Sequence, residues 1–343
     1  MTNRKRITAA AALALALLGA AAAGSAQQKD VEAEKNIFAM DTFMTLRAIG
    51  PEAEKAVEAA SKEILRLDAM LSTGNENSVV YRLNQDGEGT ATEEMAELLA
   101  YSEDLYESTD GCFNIAIYPV MQLWGFPTGE YHVPDEKELA QVQDLLDMSK
   151  VQFDEESGKI TLLQEGMAID FGGIAKGYTS SRVMEMFEEY GVEAGLINLG
   201  GNVHTFRTKT DGSYWRVAIK NPWNTDAYLG VVEVADEAVI TSGGYERSFE
   251  EDGQTYHHII DPATCTPAEA GLTSVTIVSK DGTLADGLST SLYIMGREKA
   301  EAYWREHPDE FETILVEEDG TVAVSEGLAD RFTSEEEFEI MKR

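Results

Sequence analysis

Apolar residues three and four positions apart dominate the first half of the chain, and this spacing predicts amphipathic helices at 51–71, 93–107 and 134–148. Residues 38–48 precede these helices and have the composition of a β-strand. The stretch 111–130 is rich in glycine, proline and aromatic residues, so we expect an irregular loop with a functional role there.

The second half of the chain differs, because short runs of β-forming residues alternate with glycine turns. This pattern predicts strands at 151–153, 160–163, 167–171 and 273–278, and several more between 195 and 260. Helical spacing returns at 176–190, 284–295 and 297–306. Early helices and a β-rich second half closed by helices predict an α+β fold, built as a single domain with two lobes.

The N-terminus has the three parts of a secretory signal peptide. A basic stretch at 4–6 precedes an uncharged run rich in alanine and leucine at 7–23, and small residues at 24–26 form a cleavage site. We therefore expect cleavage after residue 26 and a soluble exported protein, in a periplasm or at the cell exterior. An uncleaved N-terminal membrane anchor is the alternative. No cysteine stands directly after the apolar run, where a lipid anchor would be attached.

These patterns divide the chain into four parts. A signal peptide covers 1–26, a short linker covers 27–35, the folded domain covers 36–332, and a charged, solvated tail covers 333–343.

The charge is strongly negative, since 62 Asp and Glu residues against 27 Lys and Arg residues give a formal net charge of -35. Such a field repels phosphate backbones and anionic lipids, which makes nucleic acids and membrane surfaces poor partners. An anionic ligand must then be held locally by a metal ion, a lysine or a helix N-terminus. The two cysteines, Cys112 and Cys265, are too few for a disulfide framework or a cysteine-based metal cluster.

The densest chemical signal lies at 170–178, where Asp170 and two glycines follow a predicted strand and Lys176 stands at the start of a predicted helix. Glycine lets the main chain approach a ligand closely, and free N–H groups at a helix start attract phosphate. The segment matches neither the Walker loop nor the dinucleotide-binding glycine pattern. An ordinary strand-to-helix turn with a solvated lysine is the alternative.

A carboxylate and a hydroxyl form the second signal. Asp286 and Thr290 are four residues apart in a predicted helix, so they share one face. Together they suit Mg²⁺, which prefers oxygen ligands and keeps several waters or substrate phosphates. The alternative is an aspartate that caps the helix and a threonine packed in its middle.

Two adjacent histidines form the third signal. His257 and His258 end a predicted strand, and strand alternation places their rings on opposite faces. A structural, hydrogen-bonded role is the alternative to catalysis for either residue. The sequence contains no serine nucleophile elbow and no helical zinc motif of the His-Glu type.

Taken together, these segments resemble the ApbE family of FAD:protein FMN transferases. The similarity extends over 36–332 and rests on motifs in the same order, at 40–45, 71–84, 116–126, 170–178, 198–202, 241–247, 258–262 and 285–290. The resemblance implies the ApbE (T-fold-like) domain, with FAD bound in the cleft between its two lobes.

The resemblance also implies roles for individual residues. It makes Asp286, Thr290 and the main-chain carbonyl of Gly173 the Mg²⁺ ligands, and His258 rather than His257 the catalytic residue. The residues that it implies for FAD binding are Met40, Gly74, Ala116, Ile117, Tyr118, Asp170, Lys176, Tyr245 and Ile260. Two positions depart from the family, since Gly74 stands where relatives often carry a larger side chain and Cys265 where the family's turn usually has glycine.

The implied reaction is Mg²⁺-dependent transfer of the FMN part of FAD to a threonine hydroxyl of an acceptor flavoprotein, with release of AMP. The expected acceptor carries a Ser/Thr flavinylation site and is a membrane-associated redox subunit. Two alternatives stay open. Water could replace the threonine, which would make the chain an FAD pyrophosphatase, and Gly74 leaves room for this. The chain could also be an exported FAD-binding protein without turnover.

Overall fold

A computed structural model describes residues 31–343. In that part of the chain the strands are, in order, β1 (Glu32–Ala39), β2 (Thr42–Ile49), β3 (Glu88–Thr90), β4 (Val151–Asp154), β5 (Lys159–Leu162), β6 (Ala194–Leu199), β7 (Asn202–Phe206), β8 (Trp215–Asn221), β9 (Asn224–Val234), β10 (Ala238–Gly243), β11 (Ser248–Glu251), β12 (Gln254–His257), β13 (Ile260–Asp261), β14 (Thr266–Pro267), β15 (Leu272–Ser279), β16 (Glu312–Glu317), β17 (Val322–Ser325), β18 (Phe332–Ser334) and β19 (Glu339–Met341). The helices are α1 (Ala53–Leu71), α2 (Val79–Asp86), α3 (Glu93–Ser108), α4 (Tyr118–Leu123), α5 (Glu136–Gln143), α6 (Ala175–Glu189) and α7 (Gly282–Glu306).

A nine-stranded sheet forms the centre of the fold, with the strand order β1-β2-β6-β7-β10-β15-β16-β17-β19. Its neighbouring strands are antiparallel except for the last pair, β17 and β19, which is parallel. Two three-stranded sheets, β18-β9-β8 and β3-β5-β4, and the hairpins β11-β12 and β13-β14 surround it. The predicted α+β architecture is therefore confirmed.

The large sheet is buried on both faces, as β15 illustrates. Val275 and Ile277 belong to the same core cluster as Leu288 and Leu292 of α7, whereas Val278 packs with the valines of β8 and β9. Because alternate side chains of a strand point to opposite faces, β15 contributes apolar residues to both layers. Helices therefore cover one face of the sheet and the β18-β9-β8 sheet covers the other.

Helices α6 and α7 cross at a contact that requires glycine. A Cβ atom on Gly177 would lie 2.1 Å from the carbonyl oxygen of Gly282 and 2.5 Å from the Cβ atom of Asp286. The carbonyl oxygen belongs to the main chain and cannot rotate away, so the helices could not approach this closely with any larger residue. The crossing brings together two motifs that are more than a hundred residues apart in the sequence.

Two predicted strands differ from the structure. The predicted strand at 38–48 is a hairpin, because Met40 and Asp41 form the turn between β1 and β2 with φ angles of 47° and 59°. The predicted strand at 167–171 does not form. Instead, the side-chain amide of Asn84 accepts a hydrogen bond from the N–H of Ile169 and donates one to its carbonyl, at 2.8 Å each. One side chain thus replaces a neighbouring strand.

Helix limits also differ from the predictions. The expected irregular loop at 111–130 contains a 3₁₀ turn, Ile115–Ile117, and the whole of α4. The helix predicted at 134–148 is limited to α5, followed by short 3₁₀ turns. The two helices predicted at 284–295 and 297–306 form α7, with a non-helical residue, Gly296 (φ 75°, ψ 171°), between them.

Both ends of the folded domain extend beyond their predicted limits. β1 begins at Glu32, within the stretch expected to be a linker. Residues 333–343 were expected to be a solvated tail, but β19 lies there beside β17, Met341 is buried, and the Arg343 guanidinium lies 4.5 Å from the ring centre of Trp304. The prediction was wrong because two apolar residues, Phe338 and Met341, pack against the core while most of the charged residues around them face solvent.

The signal-peptide prediction concerns residues 1–26, which lie outside the described residues. Among the helices between residues 31 and 343, none combines the length and the apolar character needed to cross a membrane.

The glycine contact between α6 and α7 gives a prediction about stability. We expect Gly177→Ala to lower the free energy of unfolding by about 1–3 kcal/mol or more, because an added methyl group at a close-packed crossing forces the main chain to shift. Urea unfolding followed by circular dichroism measures this. Gly74→Ala is the matched control, since a Cβ atom at Gly74 would meet no atom within 4 Å. Equal stability of the two variants would show that the helices do not meet at Gly177.

Candidate active site

A buried carboxylate lies where α6 and α7 cross. Asp286 is only 5% exposed. Its Oδ2 accepts a hydrogen bond from the N–H of Gly177 (2.8 Å), and its Oδ1 accepts one from Nδ2 of Asn202 on β7 (3.0 Å). Burial raises the pKa of Asp286, while the charge of Lys176 and these hydrogen bonds oppose the rise. Within residues 31–343 no basic side chain forms a salt bridge with it, so its charge lacks a direct counter-ion.

The contact with Asp286 occupies an N–H group at the α6 N-terminus, which was expected to be free to bind phosphate. The residue before α6, Ile174, offers no side chain that could cap the helix, and Asp286 supplies the missing hydrogen bond from another helix. The N–H groups of Ile174 and Ala175 donate to the carbonyl of Phe171. Free N–H groups that attract phosphate were predicted here, and the structure corrects this because three of these N–H groups already have protein partners.

Thr290 follows Asp286 by one helical turn, in the interior of α7. Its Oγ1 lies 3.2 Å from Oγ of Ser242 on β10, and that oxygen lies 2.7 Å from Oγ of Ser289. The cap of α7 is Asp281, whose carboxylate accepts from the N–H groups of the first turn. The interpretation of Asp286 as an ordinary cap of its own helix is therefore wrong.

The oxygen atoms of Asp286 and Thr290 suit a hard cation. A carboxylate has about four lone-pair sites, and Asp286 uses two of them for hydrogen bonds. No group of three or more His, Cys, Asp or Glu between residues 31 and 343 could hold a metal ion. A cation here would complete its shell with main-chain carbonyls such as that of Gly173, with water and with substrate oxygens. Because Mg²⁺ keeps such ligands, the donor set fits it.

The loop at 170–173 packs against the 3₁₀ turn that begins at Ile115. The N–H of Asp170 donates to the carbonyl of Ile115, and Oδ1 of Asp170 accepts from the N–H of Gly172, at 2.8 Å each. A Cβ atom on Gly173 would lie 3.3 Å from the ring of Phe113. These contacts place Asp170 and Gly173 beside the predicted FAD-binding residues Ala116, Ile117 and Tyr118.

The tip of the β1–β2 hairpin and the loop after α1 lie next to these elements. Met40 has a positive φ, which is unfavourable for a residue with a side chain, and its N–H donates to Oδ1 of Asp68 (3.0 Å). The Tyr118 hydroxyl donates to the carbonyl of Thr73 (3.4 Å). The following residue, Gly74, is exposed and faces open space. A larger side chain at position 74 would therefore have room.

Basic side chains bring positive charge to this region, chiefly Lys176 at the start of α6. The Lys176 charge acts on Asp286, Glu246 and His258. Burial raises the pKa of Glu246, while Lys176 and Lys220 oppose the rise. This local concentration of basic groups is what a protein of net charge -35 needs to hold an anionic ligand.

The two histidines have different hydrogen-bond environments. For His257, Nδ1 accepts from the N–H of Ile259 (3.3 Å) and Nε2 donates to the carbonyl of Ala268 (3.2 Å), so both ring nitrogens have partners. For His258, Nδ1 donates to the carbonyl of Arg247 (3.2 Å). A carbonyl can only accept, so in the neutral ring the proton lies on Nδ1, and the unprotonated Nε2 is available as a base.

The surroundings of His258 keep its ring neutral. Burial and the nearby positive charges of Arg247 and Lys176 lower the pKa of His258 to about 4. Arg247 is itself held by a hydrogen bond from its Nη2 to the carbonyl of Phe126 (2.9 Å). Burial raises the pKa of Asp170, and the charge of Arg247 opposes this rise. Arg247 thus lies near both the histidine and Asp170 of the 170–173 loop.

Tyr245 and Ile260 differ in how they relate to this region. The Tyr245 hydroxyl oxygen is buried without a hydrogen-bond partner in the described chain, and the ring lies 6.0 Å from Nζ of Lys220. Ile260 packs in a core cluster with Trp124 and Cys265, so its side chain does not face the charged groups. The structure therefore brings Tyr245 to the site but not the Ile260 side chain.

Cys265 keeps the turn geometry that glycine usually provides. Its φ is 59°, its N–H donates to the carbonyl of Asp261 (2.8 Å), and its carbonyl accepts from Nε1 of Trp124 (2.8 Å). The left-handed conformation is thus present without glycine. Both Cys265 and Cys112 are free thiols, and burial raises the pKa of each to about 11.

An open cavity of about 710 Å³ lies elsewhere, between α3, α6 and the start of α7, and contains none of the predicted site residues. His204 lines it and its Nδ1 bonds to Oγ of Ser180 (2.9 Å). Basic and acidic side chains are mixed around it, including Arg182, Lys280 and Asp281. This mixture does not select a ligand of one charge.

Comparison with known proteins identifies the family. The sequence model of the ApbE family matches residues 40–315. The chain belongs to the ApbE family. The FAD:protein FMN transferase of Klebsiella pneumoniae (strain 342) is 36% identical over 225 residues, which are 65% of this chain and 69% of that protein. That of Treponema pallidum is 31% identical over 313 residues, 84% of this chain and 86% of that protein.

Solved ApbE structures have the same fold. The ApbE protein of Thermotoga maritima superposes with a TM-score of 0.79 at 30% identity, covering 87% of this chain and 98% of its own. The apo flavinyl transferase ApbE of Pseudomonas stutzeri superposes with a TM-score of 0.76 at 29% identity, covering 85% and 93%. The resemblance inferred from the sequence motifs is therefore confirmed.

Several residues in the site had no role in the sequence predictions. Asn202, Ser242 and Arg247 lie within recognised motifs, but their partners come from distant parts of the chain. Ser289 stands next to a predicted ligand, Thr290, with its own side chain buried. The motifs were the signal available in the sequence, whereas these contacts depend on how distant segments of the chain fold together.

Proposed function

We propose that this chain is an FAD:protein FMN transferase that uses His258 as its general base. The free Nε2 of His258, close enough to Lys176 and Arg247 for their charges to lower its pKa, is the observation that carries the proposal. Membership of the ApbE family supports it, because the relatives named above are transferases of this kind. An anionic substrate such as FAD also suits the local positive charge of the site.

The protein's own residues bind and orient FAD in this proposal. Asp286, Thr290 and the Gly173 carbonyl would hold Mg²⁺, which would neutralise charge on the pyrophosphate and on the AMP leaving group. Lys176 supplies further positive charge beside Asp286. The residues proposed to contact FAD are Met40, Gly74, Ala116, Ile117, Tyr118, Asp170 and Tyr245, with Ile260 contributing through its main chain.

The proposed chemistry is an exchange at one phosphorus atom. The hydroxyl oxygen of the acceptor threonine forms a bond to the phosphorus of the FMN half, and the bond from that phosphorus to the AMP oxygen breaks. The hydroxyl proton moves to Nε2 of His258. The products are FMN joined to the acceptor through a phosphoester and free AMP.

We also propose that the reaction takes place outside the cytoplasm. The basic, apolar and small-residue order at 4–26 supports export and cleavage. An acceptor would then expose its Ser/Thr site on that side of the membrane, as a membrane-associated redox subunit would.

Incubation with FAD and Mg²⁺, with and without a threonine-containing acceptor protein, tests the proposed function. We expect a covalent FMN adduct on the acceptor, with AMP released in equal amount, because the hydroxyl replaces the AMP oxygen at phosphorus. Intact-mass spectrometry and chromatography of the nucleotides measure the two products. Release of free FMN and AMP at the same rate without an acceptor would instead identify an FAD pyrophosphatase, and binding without release would identify a storage protein.

The two histidines provide a matched pair of variants. We expect His258→Ala to retain FAD binding and lose AMP release by about a hundredfold to ten-thousandfold, because a general base contributes about that factor. His257→Ala should keep most turnover, because both nitrogens of His257 already bond to the protein. Single-turnover AMP release at saturating FAD measures the chemical step for both variants.

The pH dependence gives an independent check on His258. A base must be neutral, so kcat/KM should fall only as the pH drops towards about 4, the value to which the pKa of His258 is lowered.

The variant experiment would contradict the assignment of His258 as the base in two cases. One is loss of AMP release in His257→Ala alone, and the other is weaker FAD binding as the sole effect of His258→Ala.

A further inference from the structure

Three hydroxyl groups and one carbonyl form a chain of hydrogen bonds between β10 and α7. Oγ of Ser289 lies 2.8 Å from the main-chain carbonyl oxygen of Asp286. Oγ of Ser242 lies 2.7 Å from Oγ of Ser289 and 3.2 Å from Oγ1 of Thr290. This series of hydrogen bonds thus begins at the main chain of one proposed Mg²⁺ ligand, Asp286, and ends at the side chain of another, Thr290.

The direction of every bond in this chain follows from its first member. A carbonyl oxygen only accepts, so the single proton of the Ser289 hydroxyl is donated to Asp286. Ser289 must then accept from Ser242, which uses the single proton of the Ser242 hydroxyl. Ser242 has no proton left for Thr290, and the Thr290 hydroxyl must therefore donate to Ser242.

We propose that Ser242 and Ser289 are positioning residues that orient the Thr290 hydroxyl for Mg²⁺. With its proton donated to Ser242, Oγ1 of Thr290 keeps its lone pairs for a cation. In the reverse orientation, a bond from Ser242 would use one lone pair, and the Thr290 proton would be free to point towards the cation and repel it. The inference rests on the proposed Mg²⁺ site, to which it adds two residues that need not touch the metal.

The burial of these groups explains why their orientation would persist. Ser289 is fully buried and Ser242 is half-buried. Leaving a buried hydroxyl without a hydrogen-bond partner costs free energy, so the arrangement with all three hydrogen bonds formed is the stable one. Partners of metal ligands commonly change metal affinity by about 10- to 100-fold when they are removed.

Two substitutions at Ser242 separate the hydroxyl from the shape of the side chain. Ser242→Thr keeps the hydroxyl, whereas Ser242→Val has nearly the same volume without it, and both are β-branched residues suited to a strand. We expect Val to bind Mg²⁺ about 10- to 100-fold more weakly than Thr, and Thr to remain close to the unsubstituted protein. Calorimetric titration of the full chelator-treated chain with Mg²⁺ alone measures these affinities, and thermal unfolding without metal confirms that both variants fold.

Ser289→Ala supplies a second test away from the metal. It should weaken Mg²⁺ binding as Ser242→Val does. Without the Ser289 hydroxyl as its acceptor, the Ser242 hydroxyl can donate its hydrogen bond to Thr290 instead. The double variant should lose little more than either single variant, since both changes break the same chain.

The outcomes separate this inference from the function on which it rests. Equal Mg²⁺ affinities for Ser242→Thr and Ser242→Val, in a protein that binds Mg²⁺ and releases AMP, would overturn the positioning role alone. Failure of the unsubstituted protein to bind Mg²⁺ would overturn the metal site and the positioning role together. Mg²⁺ binding without AMP release would contradict the proposed transferase function and would leave the positioning role to be decided by the two Ser242 variants.

Discussion

The structure depends on one buried charge, the carboxylate of Asp286, held where α6 and α7 cross. The crossing requires glycine at position 177, and the N–H of that glycine is one of the two groups that bond to the carboxylate. Burying a carboxylate without a counter-ion is costly, and two neutral hydrogen-bond donors offset only part of that cost. A bound cation would offset the remainder, which connects the packing of the helices directly to the chemistry of the site.

This one contact also determines which groups can act on a substrate. Because Asp286 caps α6, fewer N–H groups at the helix start are free to bind a phosphate. Positive charge comes from side chains instead, chiefly Lys176. The β11–β12 hairpin brings the other half of the site. Its last residue, His257, bonds to the protein through both nitrogens, while the next residue, His258, keeps one nitrogen free.

The sequence predicted those parts of the fold that depend on local patterns and on motifs. The helix that carries Asp286 and Thr290 was predicted because its apolar spacing is regular, and the family followed from motifs in order. Contacts between distant segments could not be predicted, since no local pattern encodes them. The amide of Asn84 that replaces a strand beside Ile169, the bond from Asn202 to Asp286 and the buried Met341 in a charged tail are examples.

The effect of Mg²⁺ on thermal unfolding, compared between the unsubstituted chain and Asp286→Asn, tests the central claim most directly. Asn202 can turn its amide oxygen towards the new side chain, so the variant can keep both hydrogen bonds without the charge. Mg²⁺ at about 100 times its Kd should stabilise the unsubstituted protein by about 2.7 kcal/mol, which raises its Tm by several degrees, and should leave the variant unchanged. Without metal the variant should be at least as stable, because it buries no charge. An equal response of both proteins to Mg²⁺, or no response of the unsubstituted chain, would contradict the account.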